Sequence, residues 1–348
     1  MTALADVVAT GARTPLGLTA EHSAAAVRAG VSRLREYPFV SVTGELLVLA
    51  ADPKLRFALE GRERLLPMVK SVIDEVLAKL GDKTPRGGYQ VFVALPEARP
   101  GFSDGDAAWL ADGIRKHLGT VGIQATVDVA GRGHAGAIAA IERVVQESVR
   151  RPDTLFLVIG ADSYNHTDTF MWLESRLQFA QPGVRAGFFP GEGVGCLALT
   201  SARLRNILGL PCLASVSGAG TAQETLLRDS DTGSFGVGMA EAVLRAASGL
   251  RLPQEGADTV YSDINGERYR SEEFGFMAMR AYAAMKDLTY EAPSDLWGDV
   301  GAAFPCLAAV LAAQSFVRGY APGPRALVMA GSESGLRGAM VLQDASVS

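Results

Sequence analysis

The sequence predicts an α/β fold with largely buried sheets. Apolar runs of strand length alternate with segments of helical periodicity through most of the 348 residues, a pattern typical of sheets covered by helices. The composition, 48% hydrophobic and 20% charged, is that of an ordinary globular protein. A chain of this length can form a substantial core or two fused halves.

The first part of the chain contains five predicted strands and two clear helices. A helix is predicted over 62–80, where Leu65, Val69 and Val76 recur on one face. A second amphipathic helix follows Gly131. The predicted strands cover 5–10, 90–94, 126–130, 154–160 and 194–200.

After Arg203 the pattern starts again, which predicts a second half built to the same plan. We therefore expect an N-terminal half over 1–203 and a C-terminal half over 204–348 that form one compact unit. The second half is predicted to hold strands at 212–217 and 258–264, helices at 239–250, 272–285 and 301–317, and two closing strands around Leu327 and Met340.

Charge and composition exclude several kinds of partner. The net charge of -5 leaves no general basic field for nucleic acid. The longest apolar stretch, 301–317, is shorter than the ~20 residues that span a bilayer, and the first residues lack the pattern of a secretory signal. We expect a cytoplasmic protein without a membrane segment. Three separated cysteines in apolar surroundings favour buried thiols over disulfides or a metal site, and no cofactor is predicted.

Two glycine-rich segments follow or precede predicted strands. Residues 127–136 read VDVAGRGHAG and lead into the second helix, and residues 188–195 read FFPGEGVG. The latter does not predict a phosphate loop, because no Lys-Ser/Thr pair follows it. Glu192 within it is interpreted as a buried structural carboxylate hydrogen-bonded to loop amides.

Two polar loops occur in the second half. Residues 262–267 read SDINGE, and residues 298–303 read GDVGAA. The two glycine-rich segments, the pair of polar loops and the segment VVATGARTPLG at 7–17 resemble, in order and spacing, the β-ketoacyl synthase branch of the thiolase superfamily. The resemblance implies the thiolase fold, a five-layered αβαβα arrangement of two similar halves that each contain a mixed β-sheet.

The resemblance also implies that the catalytic set of these synthases is missing. Gly131 takes the place of the nucleophilic cysteine, and a glycine cannot form a thioester. Asn265 and Asp299 take the places of the two histidines that stabilise the enolate formed when carbon dioxide leaves. The closing Gly-Phe-Gly-Gly signature is altered to GLRG at 335–338. A working condensing enzyme is therefore not expected.

Five polar residues would converge near the former active site and form a candidate rebuilt site: His134, Asp263, Asn265, Glu267 and Asp299. Structural interpretations compete with a catalytic one. His134 could lie in the first turn of a helix and bond to nearby backbone, and Asp299 could be a helix N-cap. Glu267 could form a surface salt bridge with Arg268 or Arg270.

A Ser–His pair within 163–166 is disfavoured, because adjacent residues rarely face each other and no glycine elbow surrounds the serine. Whether the former active-site tunnel is open is left undecided. Arg132, Leu336 and Arg337 are the candidates to fill it.

Three hypotheses of function remain. The first is a non-condensing binding, scaffold or accessory subunit. The loop replacements also resemble a divergent group marked by Asp-Leu/Ile-Asn-Gly-Glu, some of which accompany type VI secretion effectors, which implies an adaptor. The second is an enzyme that hydrolyses or transfers acyl thioesters with His134 and Glu267. The third is a partner of an active 3-oxoacyl-ACP synthase. The resemblance implies a homodimer, with a secretion effector or an acyl carrier protein as protein partners.

Overall fold

The computed structural model describes residues 4–42, 44–231 and 233–347. Most strands are buried along their whole length, as the apolar runs predict; all nine residues of the strand Glu192–Thr200 are buried, for example. The strands of the described residues are β1 (Ala5–Arg13), β2 (Arg35–Val40), β3 (Leu46–Leu49), β4 (Tyr89–Leu95), β5 (Ala125–Arg132), β6 (Leu155–Ser163), β7 (Glu192–Thr200), β8 (Ala214–Gln223), β9 (Thr259–Ser262), β10 (Arg325–Gly331) and β11 (Leu336–Gln343).

The helices fall into central and outer groups. Their bounds are α1 (Ala20–Arg28), α2 (Arg62–Leu80), α3 (Asp104–Thr120), α4 (Gly136–Arg150), α5 (Thr167–Ser175), α6 (Ala202–Leu208), α7 (Val237–Ala246), α8 (Arg268–Arg280), α9 (Ser294–Trp297) and α10 (Phe304–Val317). Helix α10 is apolar on all sides and almost wholly buried, as expected of a helix at the centre of a core. In the described ranges no helix is long and apolar enough to cross a membrane.

Nine strands form one mixed sheet in the order β5-β4-β6-β7-β1-β8-β11-β10-β9. A mixed set of strands in each half agrees with the predicted fold. The two sets are joined edge to edge, because β1 pairs antiparallel with β8 at Ala5–Val7. From this junction outwards the order is β1-β7-β6-β4-β5 on one side and β8-β11-β10-β9 on the other. The second set thus repeats the first without its outermost strand.

The layers alternate as the side chains of each strand alternate. Val91 and Val93 of β4 pack with α2 and α3 on the outside, whereas Phe92 and Ala94 pack inwards with α4 and α10. On the other side of the junction, β10 and β11 pack outwards against α7 and α8. Helices α4 and α10 therefore form a middle layer, which gives the five layers αβαβα. The division at residue 203 remains a prediction.

A smaller unit covers one end of the sheet. The hairpin of β2 and β3 packs with α5 and with Phe179 and Phe188 in a separate apolar cluster. Sequence analysis found neither this hairpin nor α5. Helix α8 also begins one turn earlier than predicted, at Arg268 rather than at 272. Both differences matter for function, since α5 and the start of α8 line the main cavity.

Candidate functional site

A cavity of about 440 Å³ lies where the chain leaves several strands. The parallel strands β4, β5 and β6 end at the same edge of the sheet, and their following loops supply Glu97, Gly133 and Tyr164. The loop before α8 supplies Glu267, and the turn between β10 and β11 supplies Glu333. Crevices at the carboxyl ends of strands are usual ligand sites in α/β proteins.

His134 and Asp299 form a buried pair at the bottom of this cavity. The Nε2 atom of His134 lies 2.9 Å from Oδ1 of Asp299, and the two side chains are 5% and 3% exposed. Helix α4 begins at Gly136, so His134 precedes the helix instead of lying in its first turn. Because His134 contacts the Asp299 side chain, the interpretation that it bonds only to nearby backbone is wrong.

Asp299 has further donors around it. Asn265 donates from Nδ2 to Oδ2 at 2.5 Å, and the Gly301 N–H donates to Oδ1 at 2.7 Å. Gly301 begins the 3-10 turn that leads into α10, and Val300 is the N-cap residue of this turn. Asp299 is therefore not a helix N-cap, which corrects that expectation, although it accepts a hydrogen bond from the turn as well as pairing with His134.

Glu267 and Asp263 belong to the same network through Arg270. Arg270 Nη1 lies 2.5 Å from Asp263 Oδ2, and Arg270 Nε lies 3.2 Å from Glu267 Oε2. Arg228 Nε approaches the other oxygen of Glu267 at 3.1 Å. Glu267 is 1% exposed, which corrects the expectation of a surface salt bridge. Arg268 pairs with another residue, Glu272.

A second buried ion pair, Arg99 with Asp162, also lines the cavity. Arg99 Nη2 contacts Asp162 Oδ1 at 2.6 Å, and its guanidinium lies 4.0 Å from the centre of the Tyr164 ring. Asp162 also accepts the Ala302 N–H at 2.9 Å. Neither Arg99 nor Asp162, which lies in β6 directly before Ser163, was among the predicted site residues, because the sequence does not show that the two side chains pair.

The pairing shifts the pKa values of the buried groups. Burial alone would raise the pKa of Asp299, but His134, Arg270 and Asn265 together hold it well below its usual value. Burial alone would lower the pKa of His134, but the Asp299 carboxylate outweighs this and raises it. The pKa of Arg270 lies well above its usual value, because the surrounding acidic groups outweigh the effect of burial. The Asp299 carboxylate and the Arg270 guanidinium are therefore held in their charged forms, and the Asp299 carboxylate favours the protonated form of His134.

The raised pKa of His134 predicts a pH-dependent stability. A group whose pKa is raised by folding stabilises the protein below its unfolded pKa of about 6.5 and loses this contribution as the pH rises through the folded value. We expect the difference in free energy of unfolding between wild type and His134→Gln to be larger at pH 6 than at pH 9. Urea unfolding across this range measures it. A difference that grows towards pH 9 would contradict the assignment.

Gly131 lies inside β5 and does not line the cavity. A Cβ atom added there would lie 2.2 Å from the carbonyl oxygen of Gly136 and 2.5 Å from its Cα, closer than real Cβ atoms come. A β-bulge at this point, between the pairs Val93–Val129 and Ala94–Gly131, turns the chain towards α4. The close approach of the two chain segments requires a glycine at 131.

Gly133 is the glycine that faces the cavity. A Cβ atom at Gly133 would lie 2.7 Å from Ser332 Oγ and 2.8 Å from Glu97 Cδ. Its φ of +71° is also one that residues with side chains rarely adopt. The space beside the turn from β5 to α4 is therefore filled by Glu97 and Ser332.

The other predicted positions have structural partners. Glu192 is wholly buried, pairs with Arg64 at 2.6 Å and accepts the Asp52 N–H, which confirms its structural role. Ser163 donates to Glu192 at 2.7 Å, so it does not form a pair with His166. Among the described residues, no group of three His, Cys, Asp or Glu side chains is arranged to hold a metal ion.

The three residues that were candidates to fill the former active-site tunnel do not line the cavity. Arg132 reaches Asp104 at the surface, and Arg337 pairs with Glu273 at 2.9 Å. Neither lines the cavity, and Leu336 does not line it either. The cavity instead has an apolar wall from α5 and neighbouring loops, formed by Trp172, Leu173, Phe188 and Leu227.

Comparison with known proteins identifies the fold. No protein-family model and no curated protein matches the sequence. Solved ketosynthases match the structure. A β-ketoacyl synthase from Burkholderia phymatum STM815 has a TM-score of 0.75 at 14% identity over 99% of this chain and 100% of that one. A ketosynthase from Xenorhabdus doucetiae, ApeO, solved with its chain length factor ApeC, has a TM-score of 0.76 at 14% identity over 99% and 98%.

A third similar structure is the ketosynthase from module 6 of the bacillaene synthase from Bacillus subtilis 168. Its TM-score is 0.75 at 12% identity, over 98% of this chain and 72% of that one. The chain thus has the thiolase-type fold of ketosynthases, as the sequence predicted. Identities this low establish the fold alone.

Proposed function

We propose that this protein is a ketosynthase-fold protein that does not catalyse condensation and acts as a binding or accessory subunit. The observation that supports it best is the turn from β5 to α4. Gly131 is enclosed by the backbone of Gly136, and the space beside Gly133 is occupied by Glu97 and Ser332. A side chain at Gly131 would overlap backbone, and one at Gly133 would have to displace Glu97 or Ser332 and adopt an unfavourable φ.

The distribution of thiols supports the same proposal. Cys196 and Cys306 are buried in the core, and Cys212 is half-buried. None of them lines the cavity within the part of the chain that the structure describes. Burial raises the pKa of the Cys306 thiol to about 12, which opposes formation of the thiolate that attacks a thioester. No cysteine is therefore available for acyl transfer in the cavity.

The charge of the cavity floor also opposes decarboxylative condensation. That reaction needs hydrogen-bond donors directed at a developing oxyanion. Here Asn265 donates to Asp299 and Glu267, and His134 is bound to Asp299 through Nε2. A carboxylate in this position repels an enolate. The network therefore supports a structural role for these residues better than a role in decarboxylation.

A protein partner fits the proposed role. Two of the similar structures are ketosynthases that were solved with another protein, one with a chain length factor and one with an acyl-carrier protein. We propose that this chain works in the cytoplasm as a homodimer or as a partner of an active synthase. Its Asp-Ile-Asn-Gly-Glu loop at 263–267 makes a type VI secretion effector the alternative partner.

The edge strand β5 predicts how copies associate. It ends the nine-stranded sheet, and Val129 within it is 39% exposed. An unpaired strand edge favours pairing with a second chain. We expect a dimer at micromolar concentration that Val129→Lys weakens at least about tenfold, because a lysine blocks such an edge.

Analytical ultracentrifugation of the chain alone, and then mixed with an active ketosynthase, measures this association. Val149→Lys is the matched control, since Val149 is 80% exposed on α4. A wild-type monomer in both experiments would contradict the proposed association.

A second candidate function is hydrolysis of an acyl thioester, which the His134–Asp299 pair favours. His134 would remove a proton from water as the water oxygen attacks the carbonyl carbon. The C–S bond would then break, and the leaving thiolate would take that proton. Absence of thiol release across a panel of acyl chain lengths would exclude this candidate, whereas release that is lost in the His134→Ala, Glu267→Ala variant would support it.

A further inference from the structure

Among the cavity residues that the structure describes, Glu97 carries a carboxylate without a cationic partner. Glu97 follows β4 and accepts the N–H groups of Glu333 at 2.9 Å and Ser334 at 3.0 Å. Among the described residues, no Lys, Arg or His nitrogen lies within 4.0 Å of its carboxylate oxygens. The two backbone contacts fix the orientation of the carboxylate at the cavity wall.

Every basic side chain of the cavity already has a carboxylate partner. Arg99 pairs with Asp162 at 2.6 Å, and His134 pairs with Asp299 at 2.9 Å. The remaining pairs are Arg176 with Asp229 at 2.9 Å, Arg228 with Glu267 at 3.1 Å and Arg270 with Asp263 at 2.5 Å. An anionic ligand would have to displace one of these carboxylates, whereas a cation at Glu97 displaces none.

The charges of the lining residues also favour a cationic over an anionic ligand. Five basic side chains line the cavity, and six acidic ones do: Glu97, Asp162, Asp229, Glu267, Asp299 and Glu333. The carboxyl groups outnumber the basic ones even when His134 is protonated. Because burial raises the pKa of Glu333, the excess of negative charge is assigned to Glu97, which has no cationic partner among the described residues. Electrostatic complementarity therefore favours a positively charged group in the cavity.

The rest of the cavity is suited to an apolar chain. Trp172, Leu173, Phe188 and Leu227 form one wall, and the volume of about 440 Å³ lies in the range of small-molecule sites. From Glu97 and this wall we infer that the cavity binds a small aliphatic amine, with its ammonium group at Glu97 and its chain against the apolar side chains. This inference rests on the proposed binding function and specifies the ligand of that site.

Calorimetric titration of the full chain with three eight-carbon probes tests the inference. We expect n-octylamine to bind at least about tenfold more tightly than 1-octanol, and octanoate to bind most weakly. Glu97→Gln should remove the preference for the amine over octanol. The matched control is Glu241→Gln, because Glu241 pairs with Arg245 at the surface of α7 and lies outside the cavity.

The location of binding has its own readout. Trp172 lines the cavity, so the change in tryptophan fluorescence on adding octylamine should disappear in Trp172→Phe. Tightest binding of octanoate, an unchanged preference in Glu97→Gln or no binding of any probe would overturn the inference. The wild-type ranking decides even if a variant fails to fold. Thioester condensation by the protein would instead overturn the proposed function, so the two failures are distinguishable.

Discussion

Replacing Asp299 by alanine is expected to lower the free energy of unfolding by about 3–5 kcal/mol, the usual loss when one partner of a buried ion pair is removed. His134 would lose its carboxylate, and the donors of Asn265 and Gly301 would lose their acceptor. His134, Asn265 and Asp299 are buried, so water replaces the lost contacts only in part. Urea or thermal unfolding at pH 7 measures the effect.

The lowered pKa of Asp299 also predicts how the loss of stability in Asp299→Ala depends on pH. Because folding lowers the pKa of Asp299, its contribution is fully present above the unfolded pKa of about 3.9 and is lost as the pH falls through the folded value. The difference from wild type should therefore persist at pH 7 and shrink only in strong acid. Asp112→Ala is the control, since Asp112 pairs with Lys116 at the surface and its removal should change the free energy of unfolding far less. Equal effects of both variants would contradict the role of the network.

Introducing cysteine at Gly131 is expected to destabilise the protein by about 3 kcal/mol or more, because the new Cβ atom would overlap the backbone of Gly136. Either β5 or the start of α4 would have to move. The variant should therefore not gain the nucleophile that the resemblance to synthases would assign to this position.

Gly119→Cys is the matched control for this substitution. Gly119 lies near the end of α3 with no atom within 4 Å of an added Cβ, so the same chemical change should alter the free energy of unfolding by less than about 1 kcal/mol. Equal stability of Gly131→Cys and wild type would show that the strand–helix turn can accept a side chain.

Apolar periodicity predicted the fold because the strands and central helices are buried on all sides. The bounds of α2, Arg62–Leu80, coincide with the predicted 62–80. Helix α3 was missed because Gly105, Gly113 and Gly119 interrupt its pattern. The joining of the halves into one sheet depends on a pairing between β1 and β8, which are more than 200 residues apart, and no local pattern encodes such a contact.

The site was predicted in part. His134, Asp263, Asn265, Glu267 and Asp299 do form one network, because the loops that hold them follow or lie between strands of the same sheet. Glu97, Arg99 and Asp162 were missed. Their partners, such as Ser334 for Glu97, come from distant parts of the chain, and a sequence pattern marks the polar residue but not its partner.

We expect the cavity to bind a ligand without catalysing condensation of thioesters. Incubating the purified chain with an acyl thioester and malonyl thioester, followed by mass spectrometry of the intact protein and measurement of released carbon dioxide, tests it most directly. We predict no covalent acyl adduct and no decarboxylation above the rate without protein, for wild type and for Gly131→Cys. An acyl adduct on a residue of the cavity, or carbon dioxide release that requires the protein, would contradict this account.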